Sequence, residues 1–320
     1  EASRGFRPEL VFAILDHSSL YVAARPVAER LGVPLVTLVW DPPTHFLLME
    51  GSDRWSSRRL IQAAETAIGA SRVAGVASQR MATDYETRLG ARTVVLIHGF
   101  PRSQWIPPKA QYAKTDHLVI AYSGSLYAMD TWRALDAALV SRSWRIGDRD
   151  VTIRLLGEAV PDKRRSPCRY EVLGYRRQQE MLQLLAECDI GYVPYWFDRK
   201  HQEAARYSFP SKIPSYLAAG LPILYHGPSD SGVSEWVSSA GVGTCCDSPH
   251  LSAIVAALNT MTDPVTASTM RSQVTQMLDK EIGGHVFRSQ FARLLGVSET
   301  ALGPFEASEC RCPLGGQDDL

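Results

Sequence analysis

Residues 208–227 read SFPSKIPSYLAAGLPILYHG and set a hydroxyl, Ser211, beside an ammonium, Lys212. Phe209 precedes a proline and is expected to be extended, because the residue before proline avoids the helical region. Ser211 then reads as an N-cap whose hydroxyl accepts a free backbone N–H. Pro214 is tolerated in a first turn, and Gly220 with Pro222 ends the helix, so it spans about 212 to 219. Free amides at a helix start, one full positive charge and one hydroxyl suit a phosphate or diphosphate. A plain capped helix with a solvated lysine accounts for these residues about as well.

A second group with chemical potential is WDPPTHF (40–46). Asp41 and His45 follow an apolar run, where a carboxylate could orient a hydroxyl or accept its proton. Equally, Asp41 could cap the turn before Pro42-Pro43 and His45 could be a packed loop histidine. His98 and His226 stand at strand ends; His98 is read as structural, and His226 could face the cleft although nothing in its spacing shows that. There is no Gly-x-Ser-x-Gly elbow, no P-loop and no Gly-x-Gly-x-x-Gly fingerprint. No Asp-x-Asp pair stands at a suitable strand end, so no metal is expected. The six cysteines form no C-x-x-C pair. Cys188 and Cys245 read as small core residues, and Cys310 and Cys312 sit in a Gly-rich acidic tail. This usage fits a reducing cytoplasm.

These residues need strands to hold them. Short apolar runs at 10–15, 34–40, 73–78, 93–97, 118–123, 151–156, 189–195, 222–226 and 241–246 alternate with helical patterns. The alternation predicts an α/β fold with parallel sheets covered on both faces. WIPPKAQYAKTD (105–116) is the best linker, so the domains are expected at 1–112 and 113–300, with a flexible tail at 301–320. The second domain reads as a five-strand doubly wound unit closing near 262, followed by helical patterns at 265–280 and 285–295. Lys plus Arg and Asp plus Glu number 34 each, which gives no global field for nucleic acid. No apolar run approaches the roughly 20 residues that span a bilayer. The opening residues carry no signal-peptide pattern.

The order and spacing of several motifs resemble retaining GT-B glycosyltransferases of family 4 (group 1). Phe-Pro-Ser-Lys and Tyr-Leu-Ala-Ala-Gly-x-Pro at 209–222 match that family's signature. YEVLGYRRQQEMLQLLAECDIGYVPY (170–195), GPSDSGVSEWVSSAGVGTCC (227–246), AYSGSLY (121–127), LGVPLVTLVWDPP (31–43) and VVLIHGFP (94–101) follow its order. The resemblance covers about residues 10–260. It implies two Rossmann-like domains facing across a cleft, a nucleotide-diphosphate sugar as donor, an acceptor hydroxyl, retention of configuration and no metal. By position, Ser211 and Lys212 contact the diphosphate, and Gly124 and Ser125 let backbone approach the phosphates. Tyr207 and Ser215 stand where the family carries two glutamates eight positions apart, the second of which binds the ribose. Ser215 and Tyr216 are placed near the ribose, and Tyr207 among the donor-binding residues.

The family's Arg and Lys after the first glycine turn are missing. Arg154, Arg176 and Arg177 are substitutes, although a solvated basic loop is the preferred reading of 163–177. The first domain is short, with about four strands. A non-catalytic GT-B protein that binds a nucleotide or a partner is the alternative, and a sugar-nucleotide epimerase is a third reading. Trp55, Arg58 and Arg59 open an amphipathic helix that could touch a membrane carrying a lipid-linked acceptor, although such a pattern is more often a solvated face. The expected location is the cytoplasm, with peripheral contact at the inner membrane face as the variant.

Overall fold

The computed structural model describes residues 7–109, 116–157 and 169–303. The first unit runs β1 (Val11–Ile14), α1 (Ser18–Leu31), β2 (Leu35–Val39), α2 (Pro43–Met49), α3 (Arg54–Ala70), β3 (Val73–Val76), α4 (Gln79–Leu89) and β4 (Thr93–Val95). Its strands form one parallel sheet in the order β1-β2-β3-β4. All five residues of β2 are buried, as a strand covered on both faces requires. Helices α1, α3 and α4 cover one face through Tyr21, Ile68, Met81 and Tyr85.

The second unit holds β5 (His117–Ser123), α5 (Met129–Ser141), β6 (Arg145–Ile146), β7 (Arg149–Leu156), β8 (Tyr170–Gly174), α6 (Gln178–Ala186), β9 (Ile190–Pro194), α7 (Gln202–Tyr207) and α8 (Lys212–Ala218). It continues with β10 (Ile223–His226), α9 (Gly232–Ala240), β11 (Gly243–Cys246), α10 (Leu251–Thr262) and α11 (Pro264–Met277). The strand order is β11-β10-β9-β5-β7-β6, with β8 beside β7. All pairs are parallel except the short β6–β7 hairpin. The sheet therefore has seven strands where the sequence suggested five. The added β6 is two residues long, and β8 carries Tyr170 and Glu171 with no fully buried position, so neither shows an apolar run.

The last helix, α12 (Gly284–Leu295), corrects the expected division. It leaves the 113–300 unit and packs on the open face of the first sheet. Leu294 joins Val36, Leu38 and Leu96 there, with Phe287 and Phe291 beside them. Gly75 on β3 allows this approach, since an added Cβ would lie 2.9 Å from Leu294. The apolar stripe of α12 fits a sheet face without naming which one. The 112/113 boundary lies outside the described residues, as do Cys168, Cys310, Cys312 and the tail from 304.

The two units touch across a cleft. The Ser78 hydroxyl donates to the Tyr207 carbonyl at 2.6 Å, Thr44 donates to Glu203 at 2.5 Å, and Arg80 pairs with Glu235. Residues just beyond β2, β3 and β4 face residues just beyond β5 and β9, so both sheets aim strand carboxyl ends at the same space. In open α/β sheets that is where ligands bind.

Candidate functional site

Three neighbouring parallel strands of the second unit each finish at a glycine. Gly124 follows β5 with φ +94°, Gly157 follows β7 with φ +137°, and Gly174 ends β8 with φ +69°. The Gly124 N–H donates to the Leu156 carbonyl at 2.7 Å, and the Gly157 N–H to the Gly174 carbonyl at 2.9 Å. A Cβ on Gly157 would sit 2.6 Å from the Gly124 carbonyl oxygen. Only glycine combines that dihedral with that approach. The result is a recess of about 280 Å³ bounded by Gly124, Gly157, Tyr175, Arg176, Ser215 and Lys212. Tyr175 stands on its lip with 80% of its surface exposed.

Lys212 lies on a second cavity as well, the cleft itself, of about 560 Å³. It is only 7% exposed. Its Nζ donates to the Tyr127 hydroxyl at 2.9 Å and lies 4.1 Å from the Tyr127 ring centroid and 5.1 Å from that of Tyr122. No carboxylate lies within ion-pair reach of it among the described residues. Burial lowers its pKa from the ordinary lysine value to about 7. Burial likewise holds the Tyr127 phenol far above its usual range, so Tyr127 remains a neutral acceptor for the ammonium. An isolated buried cation is costly. This one stands where two cavities meet, ready for an anion.

The expected cap at Ser211 is not formed. Ser211 has helical backbone angles and makes no side-chain cap bond, and the first turn closes instead through the Ile213 N–H on the Pro210 carbonyl. Pro210 fixes the preceding turn, so the hydroxyl of exposed Ser211 points into solvent shared by both cavities. Ser215 is buried against the recess with a long 3.4 Å contact to the Ser211 carbonyl. Ser125 is exposed, and its carbonyl accepts the Tyr122 hydroxyl at 2.5 Å.

Two predicted donor residues stand elsewhere. The Tyr216 ring is fully buried against Gly191; its hydroxyl accepts the Ser123 N–H at 3.0 Å and donates to the Tyr192 carbonyl at 3.1 Å. It braces the end of β5 from behind. Tyr207 ends α7 and packs against the α1, α3 and α4 core of the first unit. It lines a separate groove with Arg80, Asp84 and Arg206.

Across the cleft, Asp41 and His45 both line the large cavity, with Trp40, His98, Trp196 and Phe209. Asp41 does not cap a turn: α2 starts at Pro43 without a side-chain cap. Its carboxylate has no hydrogen-bond partner among the described residues. Burial lowers the pKa of His45, and the nearby Asp41 charge opposes that shift. The buried His45 Nδ1 has no partner. His98, read from sequence as structural, lies on this cavity, and burial lowers its pKa. His226 is structural. It is held by the Tyr192 hydroxyl at 2.9 Å and the Ser248 carbonyl at 3.0 Å, and burial takes its pKa to about 4.

Of the three substitute arginines, Arg154 is committed to Glu171 at 2.6 Å and Glu187 at 2.7 Å. Arg177 makes no side-chain cap bond at the start of α6. Arg176 alone borders the recess, paired at 3.0 Å with Glu180. Sequence reading missed Gly157, Tyr127 and Tyr175. Gly157 carried a usable signal: VTIRLLG repeats the strand-then-glycine pattern of LVIAYSG. Among the described residues, no three His, Cys, Asp or Glu side chains converge as a metal-ligand set. No described helix is long and apolar enough to cross a membrane.

A family model described as glucosyltransferase 3-like, C-terminal domain, matches residues 140–292. No curated protein matches the chain by sequence. Among solved structures, Anabaena HepE in complex with UDP and glucose is 18% identical with a TM-score of 0.65, over 90% of this chain and 78% of that one. Sucrose-phosphate synthase from Thermosynechococcus elongatus is 12% identical with a TM-score of 0.67, over 92% and 74%. WaaG, a glycosyltransferase of lipopolysaccharide biosynthesis, is 14% identical with a TM-score of 0.59, over 88% and 82%. With two Rossmann-like units opposed across a cleft, the chain has the GT-B fold of these glycosyltransferases.

Proposed function

We propose that this protein is a retaining glycosyltransferase, similar to family 4, that moves a sugar from a nucleoside diphosphate to an acceptor hydroxyl without a bound metal. The observation that carries this reading is Lys212, a buried ammonium with no carboxylate partner at the junction of a glycine-walled recess and the interdomain cleft. In this reading the nucleoside occupies the recess, with its base near Tyr175 and its ribose near Ser215. The diphosphate lies across Gly124, Ser211 and Lys212, and the donor sugar extends into the cleft. Breaking the bond from the sugar to the diphosphate leaves its electron pair on the terminal phosphate oxygen. Lys212 stabilises that charge in a water-poor site, where a fixed cation acts strongly. The acceptor oxygen approaches from the Asp41 side, Asp41 orients its hydroxyl, and its proton passes to the departing phosphate. Closure of the two units excludes water from the cleft.

The co-crystallised UDP of HepE supports testing uridine nucleotides first. Calorimetry with UDP, GDP and ADP, and with the corresponding sugars, tests the reading. One nucleotide should bind, and Lys212→Met should weaken that binding by roughly 10- to 100-fold. Equal binding by the variant would place the diphosphate elsewhere. Tight binding by the native protein with no donor hydrolysis or transfer would favour the non-catalytic alternative.

A further inference from the structure

A smaller cavity of about 270 Å³ adjoins the cleft and shares His45 with it. Its walls come from both units: Thr44 and His45 of α2, the turn Arg199–His201, and Glu203 of α7. The acids on this lip are engaged by their own neighbours. Glu203 accepts the Thr44 hydroxyl at 2.5 Å. Asp198 accepts the His201 backbone N–H at 3.0 Å and holds its ring Nδ1 at 2.9 Å. Arg199 and Lys200 have no carboxylate within ion-pair reach among the described residues, and both border the same cavity.

The lip is tied rigidly to the diphosphate position. The His201 ring stacks on Trp196 at 4.8 Å, Trp196 lies 4.9 Å from Tyr127, and Tyr127 holds the Lys212 ammonium. Two ring contacts and a hydrogen bond thus join two cationic positions along one side of the cleft. Asp41 lines the cleft from the first unit, and His45 lies on both cavities. The two cavities meet at His45, so a molecule with a hydroxyl in the cleft can extend past it into the smaller cavity. The chemistry offered there, a guanidinium and an ammonium with free donors, is that of phosphate recognition.

We infer that the acceptor carries a phosphate or diphosphate group, which Arg199 and Lys200 hold while its reacting hydroxyl lies in the cleft. This rests on the glycosyltransferase reading above and names the acceptor class for the same cleft.

The test is titration of inorganic phosphate into the full chain, with the melting temperature as readout, because a ligand of the folded state raises it. It is run on the UDP-loaded native protein, on Lys212→Met, and on the Arg199→Gln/Lys200→Gln double variant. Phosphate should stabilise the first two and leave the double variant unmoved, with a loss of affinity of roughly 10-fold or more for two charge-assisted contacts. Stabilisation that persists in the double variant, or that is absent from the native protein, overturns the inference. The Lys212→Met arm separates this outcome from failure of the donor reading, which would show as no response to UDP while phosphate still bound at the lip. Competition then identifies the source of the group. Displacement of phosphate by glucose 6-phosphate points to a soluble sugar phosphate. Displacement by vesicles containing a polyprenyl-diphosphate sugar points to a lipid-linked one.

Discussion

The recess and the cleft are built from different material. The recess is walled largely by the second unit, with the backbone of Gly124 and Gly157 beside two charged side chains, Arg176 and Lys212. The first unit meets the cleft with side chains: Trp40, Asp41 and His98 on loops after its strands, and His45 on α2. Backbone walls hold a shape that substitution alters little, except where a Cβ would collide. Side-chain walls hold identity, and each residue can be exchanged without disturbing the sheet behind it. Under the proposed function, the contrast fits a constant nucleotide in the recess and a particular acceptor in the cleft.

Four changes would break or sharpen that contrast. The largest effect is expected from Asp41→Asn, which should lower the transfer rate by roughly 10²-fold or more while nucleotide affinity stays unchanged. An equal loss of affinity would mean that the recess and the cleft do not divide the work.

Gly157→Ala comes next. The added Cβ meets the Gly124 carbonyl in a backbone conformation that side chains rarely adopt. It should cost about 2–3 kcal/mol in denaturant unfolding and close the recess to nucleotide. A stable variant that binds normally would show that the backbone wall is softer than described.

Lys212→Met should weaken nucleotide binding by roughly 10- to 100-fold, the range of one charge-assisted contact. The same variant should melt no lower than the native protein, because it removes an uncompensated buried charge. The pH dependence has opposite signs for fold and ligand. Well below pH 7 both the folded and unfolded chains carry the Lys212 proton. From about pH 7 toward the ordinary lysine value of 10.5 the folded lysine sheds its proton first, so stability from this group rises. An anionic ligand prefers the charged form, so nucleotide affinity should fall as pH rises through about 7. Calorimetry in buffers of different ionisation enthalpy should show proton uptake on binding above that pH. A flat profile, matched by Lys212→Met, would remove the lysine from the site.

The smallest effect belongs to Tyr207→Phe. Tyr207 packs beside α4 and contributes its carbonyl, not its ring, to the Ser78 contact. Nucleotide affinity should change by less than about twofold, well within surface-substitution effects. A larger loss would return Tyr207 to the donor site.

Much of the fold was legible because its signals are local. The nine apolar runs all became strands, although the one N-cap expected from sequence, at Ser211, did not form. The weak strands β6 and β8 were not legible, since neither carries an apolar run. The site was legible in part. The Phe-Pro-Ser-Lys segment and Gly124 were found because they are short motifs. The partners of Lys212 were not, because Tyr127 is 85 residues away in the chain.

Residue types and periods alone specified the parallel α/β architecture, the glycine at the end of β5, and the lysine at the opening of α8. Those features depend on propensity, burial pattern and backbone sterics, which act over a few neighbours. Folding in three dimensions decided that α12 returns to the first sheet, that Lys212 is buried between two tyrosine rings instead of solvated, and that Tyr216 braces a strand instead of meeting a ligand. Each of these depends on which distant surfaces come to share a space, and the desolvation that follows changes what a side chain can do.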